Sequence, residues 1–187
     1  MILGILLAAG ASRRFGPADK LLSDWEGASL VSHAAKALMG AGCDRVMAVT
    51  SSSAVADALP AGYLHCAIAP DQPMSASWEA AVREGARLGA EHLLFMLGDM
   101  PNIHAATLQR LTRLAREGEE AACALNGRPM PPACFTLSSC LALLPIPAGD
   151  HGARPLLARL PPDRLITITP EEAFDLDLRP GSGSGGI

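Results

Sequence analysis

The sequence predicts an α/β protein in which helices cover both faces of a mostly parallel sheet, giving three layers. Short apolar runs bounded by turn residues alternate with segments of helical periodicity from the first residues to about residue 169. Such alternation is typical of sheets built from strand–helix–strand units. Apolar residues make up 49% of the 187 residues and aromatic residues only 4%, so small aliphatic side chains must fill the core.

Continuous apolar runs predict the strands. The first run, residues 2–7, has no polar residue, as expected for a strand that is buried on both faces. The run at residues 92–97 has a similar character and ends at Gly98 and Asp99. In chain order, the predicted strands are residues 2–7, 45–50, 64–69, 92–97, 121–125, 133–136 and 164–169.

Segments with a helical period lie between these runs. In residues 28–39, Leu30, Ala34 and Leu38 fall on one face, and Gly40 ends the pattern. In residues 104–116, leucines spaced three residues apart face away from the arginines. In chain order, the predicted helices are residues 28–39, 76–88, 104–116, 138–144 and 152–160.

Two segments interrupt the alternation. Residues 126–132 (NGRPMPP) hold three prolines, which exclude a helix or a central strand and predict a loop that closes over a ligand. Residues 180–187 are rich in glycine and serine and predict a disordered tail. The sequence therefore predicts one domain at residues 1–179, followed by that tail.

Composition and charge exclude several classes of protein. A net charge of -4 argues against a general nucleic-acid binder. The five cysteines form no C-x-x-C pair, which predicts reduced thiols rather than a zinc site or a disulfide framework. No apolar window approaches the roughly 18 residues that span a bilayer, and charges follow the first apolar run instead of preceding it. We therefore expect a soluble cytoplasmic protein without a membrane partner.

The strongest functional motif follows the first strand, at residues 7–22 (LAAGASRRFGPADKLL). Gly10 is able to adopt backbone angles that other residues rarely take, and successive N–H groups in such a loop bind anions. Arg14 and Lys20 add positive charge where a triphosphate would lie. The spacing matches neither a Walker A loop nor a G-x-G-x-x-G dinucleotide loop. The alternative interpretation is an ordinary turn with solvated cations.

A second motif, residues 97–101 (LGDMP), ends the predicted strand at residues 92–97. Asp99 would lie at the carboxyl end of that strand, where ligands bind in open parallel sheets. A carboxylate in such a place is suited to a hard cation that bridges phosphates. Taken alone, the same residues also fit a plain turn.

Together these motifs resemble the signature of the MobA-like nucleotidyltransferases. The resemblance implies a Rossmann-like domain of the nucleotide-diphospho-sugar transferase type, which moves a nucleoside monophosphate from an NTP with Mg²⁺ and releases pyrophosphate. It implies catalytic roles for Lys20, Arg14 and Asp99, with Asp99 as a ligand of Mg²⁺. The nucleotide-binding residues that it implies in the first motif are Leu7, Ala8, Ala9, Gly10, Ser12, Arg14, Gly16 and Lys20.

Residues 73–77 (PMSAS) are similar to a segment of one branch of that family, the cytidylyltransferases of the molybdenum cofactor. In that branch the segment lies beside the base and the ribose, which implies nucleotide contacts for Ser75 and Ser77. Capping of the helix that starts here is the structural alternative for both serines.

Two later segments are similar to the same branch. Residues 149–154 (GDHGAR) imply acceptor binding by Gly149, Asp150 and Arg154, and a capped helix start with a solvated arginine is the alternative. Residues 174–178 (FDLDL) imply that Asp177 is a second metal ligand.

The resemblance implies transfer of CMP from CTP to the terminal phosphate of molybdopterin or the molybdenum cofactor. Ala9 favours CTP, because the guanylyl branch usually has glycine at this position. Three alternatives stay open: a guanylyltransferase, a nucleotidyltransferase for another acceptor such as a sugar phosphate or methylerythritol phosphate, and a non-catalytic nucleotide-binding partner of a molybdenum hydroxylase. A molybdoenzyme is accordingly a possible recipient of the product.

Overall fold

The computed structural model describes residues 1–10, 19–146 and 152–174 of the chain. Seven strands form one sheet and two short strands form a separate hairpin. In chain order the strands are β1 (Ile2–Ala8), β2 (Asp24–Trp25), β3 (Ala28–Ser29), β4 (Arg45–Thr50), β5 (Leu64–Ala67), β6 (His92–Leu97), β7 (Ala121–Leu125), β8 (Arg128–Thr136) and β9 (Leu165–Thr167).

Helices connect most of these strands, as the alternating sequence pattern predicts. They are α1 (Leu30–Met39), α2 (Ser53–Asp57), α3 (Met74–Arg87), α4 (Ala105–Arg116), α5 (Leu137–Leu141) and α6 (Arg154–Ala158). Two 3₁₀ turns lie at Lys20–Leu22 and Pro162–Arg164. Among the described residues, no helix has both the length and the apolar character needed to cross a membrane.

The large sheet has the strand order β5-β4-β1-β6-β8-β7-β9. The neighbours β5, β4, β1 and β6 are parallel, and β7 pairs in parallel with β9. Only β8, antiparallel to both β6 and β7, runs the other way in this sheet. The mostly parallel sheet is therefore confirmed. We call the side on which β1, β4, β5 and β6 end the carboxyl edge.

Both faces of the sheet are buried. On one face, Ile2 and Leu6 of β1 join an apolar cluster with residues of α1 and α4. On the other face, Leu3 and Ile5 join a second cluster that contains residues of α3 and α6. The alternation follows from the two-residue period of a strand, and it explains why the whole of β1 is apolar. The three-layer prediction is thus confirmed.

The prediction of a loop at residues 126–132 is wrong. Asn126 and Gly127 form the turn of a hairpin, both with positive φ (51° and 75°), and the three prolines belong to β8. A turn with two such residues matches the right-handed twist of paired strands. The prolines fit because this half of β8 pairs only with β7, while β6 pairs with β8 only from Ala133 onward. A strand with one open edge tolerates proline.

Two further features of the structure differ from the sequence prediction. The first helix begins at Leu30 instead of residue 28, because Ala28 and Ser29 pair with β2 in the small hairpin. The helix α2 (Ser53–Asp57) was not predicted, although Ser52 caps it by accepting a hydrogen bond from the N–H of Val55 at 3.4 Å. A serine-rich segment at a strand end resembles a loop in sequence, and so short a helix has little periodicity to reveal it.

All five cysteines lie within the described residues and are free thiols, as predicted. Burial raises the pKa of the Cys43 and Cys123 thiols to about 12. A thiol with so high a pKa is protonated at neutral pH and is a poor nucleophile. Cys123 is buried in one of the apolar clusters and Cys43 packs against it.

Candidate nucleotide and metal site

The carboxyl edge brings together two residues that are 79 positions apart in the chain. The ammonium group of Lys20 donates to Oδ2 of Asp99 at 2.9 Å. Their side chains are 11% and 25% exposed, so the pair is largely shielded from solvent. Lys20 follows β1 and Asp99 follows β6, and these strands are neighbours in the sheet. The fold therefore joins the two strongest sequence motifs in one place.

The 3₁₀ turn at Lys20–Leu22 holds the backbone of Lys20 in place. Asp19 caps this turn, because its Oδ1 accepts from the N–H of Leu21 at 3.0 Å and its carbonyl accepts from the N–H of Leu22 at 3.0 Å. Leu21 is buried in the apolar cluster below. A side-chain cap and a buried anchor together fix the start of the turn, and Lys20 extends from it toward Asp99.

Gly98 determines how closely the end of β6 approaches β1. Its N–H donates to the carbonyl of Leu7 at 2.9 Å. A Cβ atom at this position would lie 3.2 Å from Cβ of Ala8 and 3.3 Å from the carbonyl oxygen of Leu7. Both contacts are tighter than ordinary van der Waals contact. Glycine at this position thus keeps the next residue, Asp99, against the end of β1.

We expect Gly98→Ala to lower turnover about tenfold or more, because displacing Asp99 by as little as 1 Å is enough for such losses. The measurements are kcat/KM and the melting temperature of the same preparation. Gly85→Ala is the matched control, since a Cβ there would crowd Cδ2 of Leu93 at 2.7 Å inside the core, away from the carboxyl edge. Equal losses of kcat/KM in both variants would mean that Gly98 acts only through stability.

The two carboxylate oxygens of Asp99 differ in their hydrogen bonding. Oδ2 accepts from Lys20, whereas Oδ1 is buried and has no hydrogen-bond partner among the described residues. A buried carboxylate oxygen without a partner is costly unless something binds it. Mg²⁺ suits it, because this ion takes oxygen ligands and is bound by one or two carboxylates together with substrate phosphates. The described residues offer no group of three or more His, Cys, Asp or Glu side chains for a metal. The arrangement fits an ion shared with phosphates.

The strand end at Leu7, Ala8 and Ala9 forms the floor of the carboxyl edge. All three side chains are buried, and Ala9 is only 2% exposed. Gly10 is exposed, and nothing lies within 4 Å of a Cβ built on it. The φ of Gly10 lies outside the left-handed region. Contacts from this segment to a ligand would therefore come mainly from its backbone.

Six of the predicted site residues lie outside the described residues. They are Ser12, Arg14 and Gly16 of the first motif, Gly149 and Asp150 of the acceptor segment, and Asp177. The predicted tail at 180–187 lies outside them as well.

The start of α3 also lies at the carboxyl edge, because this helix follows β5. Capping by Ser75 or Ser77 is wrong: Pro73 is the N-cap residue and forms no side-chain cap, and the two serines lie inside the helix with exposures of 5% and 3%. A Cβ on Gly152 would lie 3.8 Å from Cγ of Met74. The segment that leads into Arg154 is therefore beside the start of α3.

The turn of the β7–β8 hairpin reaches the same edge, a feature that the sequence analysis missed. Phe95 of β6 is level with Ala133 of β8, which is level with Ala122 of β7. Asp99 and Asn126 each follow four residues later, so the hairpin turn and Arg128 are placed near the level of Asp99. An Asn-Gly pair between two apolar runs is the signal that predicts such a hairpin.

A C-terminal segment packs beside the loop that follows Asp99. The amide of Asn102 donates to the carbonyl of Glu171 at 3.2 Å. The ring of Phe174 stacks on Trp25, with centroids 5.1 Å apart. Buried Glu172 accepts from the hydroxyl of Thr107 at 2.6 Å. These contacts tie the chain after β9 to both α4 and the small hairpin that follows Lys20.

Comparison with known proteins identifies a family and two relatives. The profile of the MobA-like NTP transferase domain matches residues 4–165. Nicotine blue oxidoreductase of Paenarthrobacter nicotinovorans is 28% identical over 169 residues, covering 86% of this chain and 83% of that protein. The purine catabolism protein PucB of Bacillus subtilis (strain 168) is 29% identical over 167 residues, covering 83% and 80%.

Solved structures show the same fold. A nucleotidyl transferase from Methanothermobacter thermautotroptrophicus has a TM-score of 0.74 and 25% identity, covering 95% of this chain and 92% of that one. A manganese complex of Rv0371c from Mycobacterium tuberculosis H37Rv has a TM-score of 0.71 and 24% identity, covering 89% and 88%. Since the family profile matches most of the chain, this protein belongs to the family defined by the MobA-like NTP transferase domain.

Proposed function

We propose that this nucleotidyltransferase moves CMP from CTP to the terminal phosphate of molybdopterin or the molybdenum cofactor, with Mg²⁺ and release of pyrophosphate. The observation that carries the proposal is the pairing of Lys20 with Asp99 at the carboxyl edge, with one buried oxygen of Asp99 left without a described partner. The reaction needs a cation near the phosphates and a carboxylate for the metal, and this pair supplies both.

The protein would act by positioning the substrates and by stabilising charge. An oxygen of the acceptor phosphate attacks the α-phosphorus of CTP; the new P–O bond forms as the bond to the bridging oxygen breaks, and pyrophosphate leaves. Lys20 would donate to the triphosphate and offset the negative charge that develops, and Arg14 would add a second cation. Asp99 would hold Mg²⁺ through Oδ1, with Asp177 as a further ligand. The metal, when bound, polarises the phosphoryl oxygens.

The nucleotide would lie along the end of β1 and the start of α3. The first motif, from Leu7 to Gly16, would wrap the triphosphate through backbone N–H groups, and Ser75 and Ser77 would flank the base and ribose. Ala9 supports CTP over GTP by resemblance to the cytidylyl branch. Its side chain is buried in the apolar cluster beneath the strand end.

Two arginines favour an acceptor that carries negative charge. Arg154 and Arg128 are both exposed, and neither forms an ion pair with another described residue. Arg154 follows the segment beside α3, and Arg128 follows the hairpin turn at the carboxyl edge. We propose that Arg154, with Gly149 and Asp150, binds the terminal phosphate of the acceptor. Guanidinium groups suit phosphate because they donate two parallel hydrogen bonds.

Thermal melting with CTP, GTP, ATP and UTP, each with and without Mg²⁺, tests the nucleotide. A ligand at about 100 times its Kd stabilises a protein by roughly 2.7 kcal/mol, which is readily seen as a higher melting temperature. We expect the largest increase with CTP and Mg²⁺, and little increase when EDTA replaces the metal. A larger increase with GTP would move the protein to the guanylyl branch, and no increase with any nucleotide would contradict the proposal.

Transfer to an acceptor is the decisive assay once the nucleotide is known. Pyrophosphate release from CTP is measured with purified molybdopterin and, in parallel, with simple sugar phosphates. Release that depends on molybdopterin supports the proposed acceptor. Release with sugar phosphates alone would assign the same chemistry to another substrate, and tight CTP binding without release would favour a non-catalytic partner of a molybdoenzyme.

A further inference from the structure

The two carboxylate oxygens of Asp99 have different surroundings in the free protein. Oδ2 is held by the ammonium of Lys20 at 2.9 Å, and Oδ1 is the buried oxygen without a described partner. Both oxygens share one carboxyl carbon and one negative charge. A divalent cation on Oδ1 would therefore be a near neighbour of the ammonium group on Oδ2.

The divalent cation and the ammonium group of Lys20 would repel each other strongly, because the site is largely shielded from water. The side chain of Lys20 is 11% exposed and that of Asp99 is 25% exposed. At such burial the effective dielectric is far below that of water, and charges a few ångströms apart interact by several times their energy in solvent. The two charges of the metal would add to the ammonium charge already beside Asp99, which disfavours metal binding to the free protein.

A triphosphate removes this conflict. Its oxygens bring several negative charges, accept from the ammonium group and supply further ligands to the metal. Lys20 has a long flexible side chain on a fixed 3₁₀ turn, so its ammonium group is able to turn from Asp99 to a phosphate without movement of the backbone. Metal and nucleotide would then favour each other, and by linkage the effect is reciprocal.

We propose that the Lys20–Asp99 ion pair keeps divalent metal off Asp99 until a nucleoside triphosphate binds, so that metal and nucleotide bind together. This inference rests on the proposed function, since it takes Asp99 as the metal ligand. Lys20 thereby has a role in the free protein that is separate from its role toward the triphosphate: it lowers the affinity for metal alone.

Titration with Mn²⁺ alone, with free Mn²⁺ measured by electron paramagnetic resonance, tests the proposal without any turnover. We expect Lys20→Met to bind Mn²⁺ about tenfold or more tightly than the wild type, by analogy with the effect of a neighbouring charge on proton binding. Lys20→Arg retains the charge and should bind like the wild type. Lys20→Gln, which keeps a hydrogen-bond donor, is the second neutral variant in case Lys20→Met is poorly folded.

A second titration in the presence of saturating CTP measures the coupling. The gain in Mn²⁺ affinity caused by CTP should be about tenfold smaller in Lys20→Met than in the wild type. If both neutral variants bind Mn²⁺ alone no more tightly than the wild type, while Asp99→Asn weakens Mn²⁺ binding in the presence of CTP, this inference is wrong and the proposed function stands. If Asp99→Asn keeps the wild-type Mn²⁺ affinity in the presence of CTP, the metal assignment and the proposed function both fail.

Discussion

Asp99→Ala is expected to lower kcat/KM for nucleotidyl transfer by about 10²- to 10³-fold, a loss of roughly 3–4 kcal/mol of transition-state stabilisation. Two effects combine in this variant. The buried Oδ1 that would hold the metal is removed, and the ammonium group of Lys20 loses the acceptor that it contacts at 2.9 Å. Pyrophosphate release at varied Mg²⁺ concentration measures the loss.

Asp57→Asn is the control for this variant, because Asp57 is an exposed carboxylate at the end of α2. It should retain wild-type kcat/KM and wild-type Mg²⁺ dependence. Asp99→Ala should also need much more Mg²⁺ for half-maximal rate, if any rate is measurable. A variant that turned over CTP at the wild-type rate would show that another group binds the metal.

Three strands whose bounds the sequence predicts have a neighbouring strand on each side in the large sheet. The bounds of β4, β6 and β7 match the predicted 45–50, 92–97 and 121–125. Such strands are buried on both faces, so each is a continuous apolar run that ends where the chain reaches the surface. For these strands the apolar run and the buried segment coincide, so the sequence alone is sufficient to predict their bounds.

The β7–β8 hairpin shows where sequence is insufficient. Its prolines at residues 129, 131 and 132 are unfavourable in a central strand, so the sequence predicts a loop here. In the structure this stretch of β8 has a neighbour on one side only. The part of a strand that lacks a neighbour on one side is set by the order of all the strands in the sheet. This order cannot be predicted from the residues of one segment.

In the candidate site, too, the sequence predicts some features and not others. Sequence placed Lys20 and Asp99 after two different strands, because glycines and polar residues follow the apolar runs. It did not predict that the two side chains pair, since that requires β1 and β6 to be neighbours. For Ser75 and Ser77 the structure excludes only the alternative to nucleotide contact: their residue types suit a helix cap, but Pro73 takes that position and the helix buries them.

Lys20→Met is expected to lower kcat/KM by about 10²- to 10³-fold, similar to the loss of one preorganised donor in other active sites. Lys20→Arg should recover part of the activity, because the charge remains while its geometry changes. Lys36→Met is the matched control. Lys36 is the one other lysine in the chain and lies exposed on α1. Equal losses in the two methionine variants would exclude a specific role for Lys20.

The presence of only two lysines makes a chemical test of the same prediction possible. Acylation with a lysine-selective reagent, read by mass spectrometry, should label Lys36 at the same rate with and without ligands, and Lys20 more slowly once CTP and Mg²⁺ are bound.

Measurements of Mn²⁺ affinity and turnover on the same Lys20 variants separate the two roles of Lys20. A group that only supports the fold would weaken metal binding and turnover together when replaced. A group that repels metal in the free protein and stabilises the triphosphate later should give tighter Mn²⁺ binding with slower turnover.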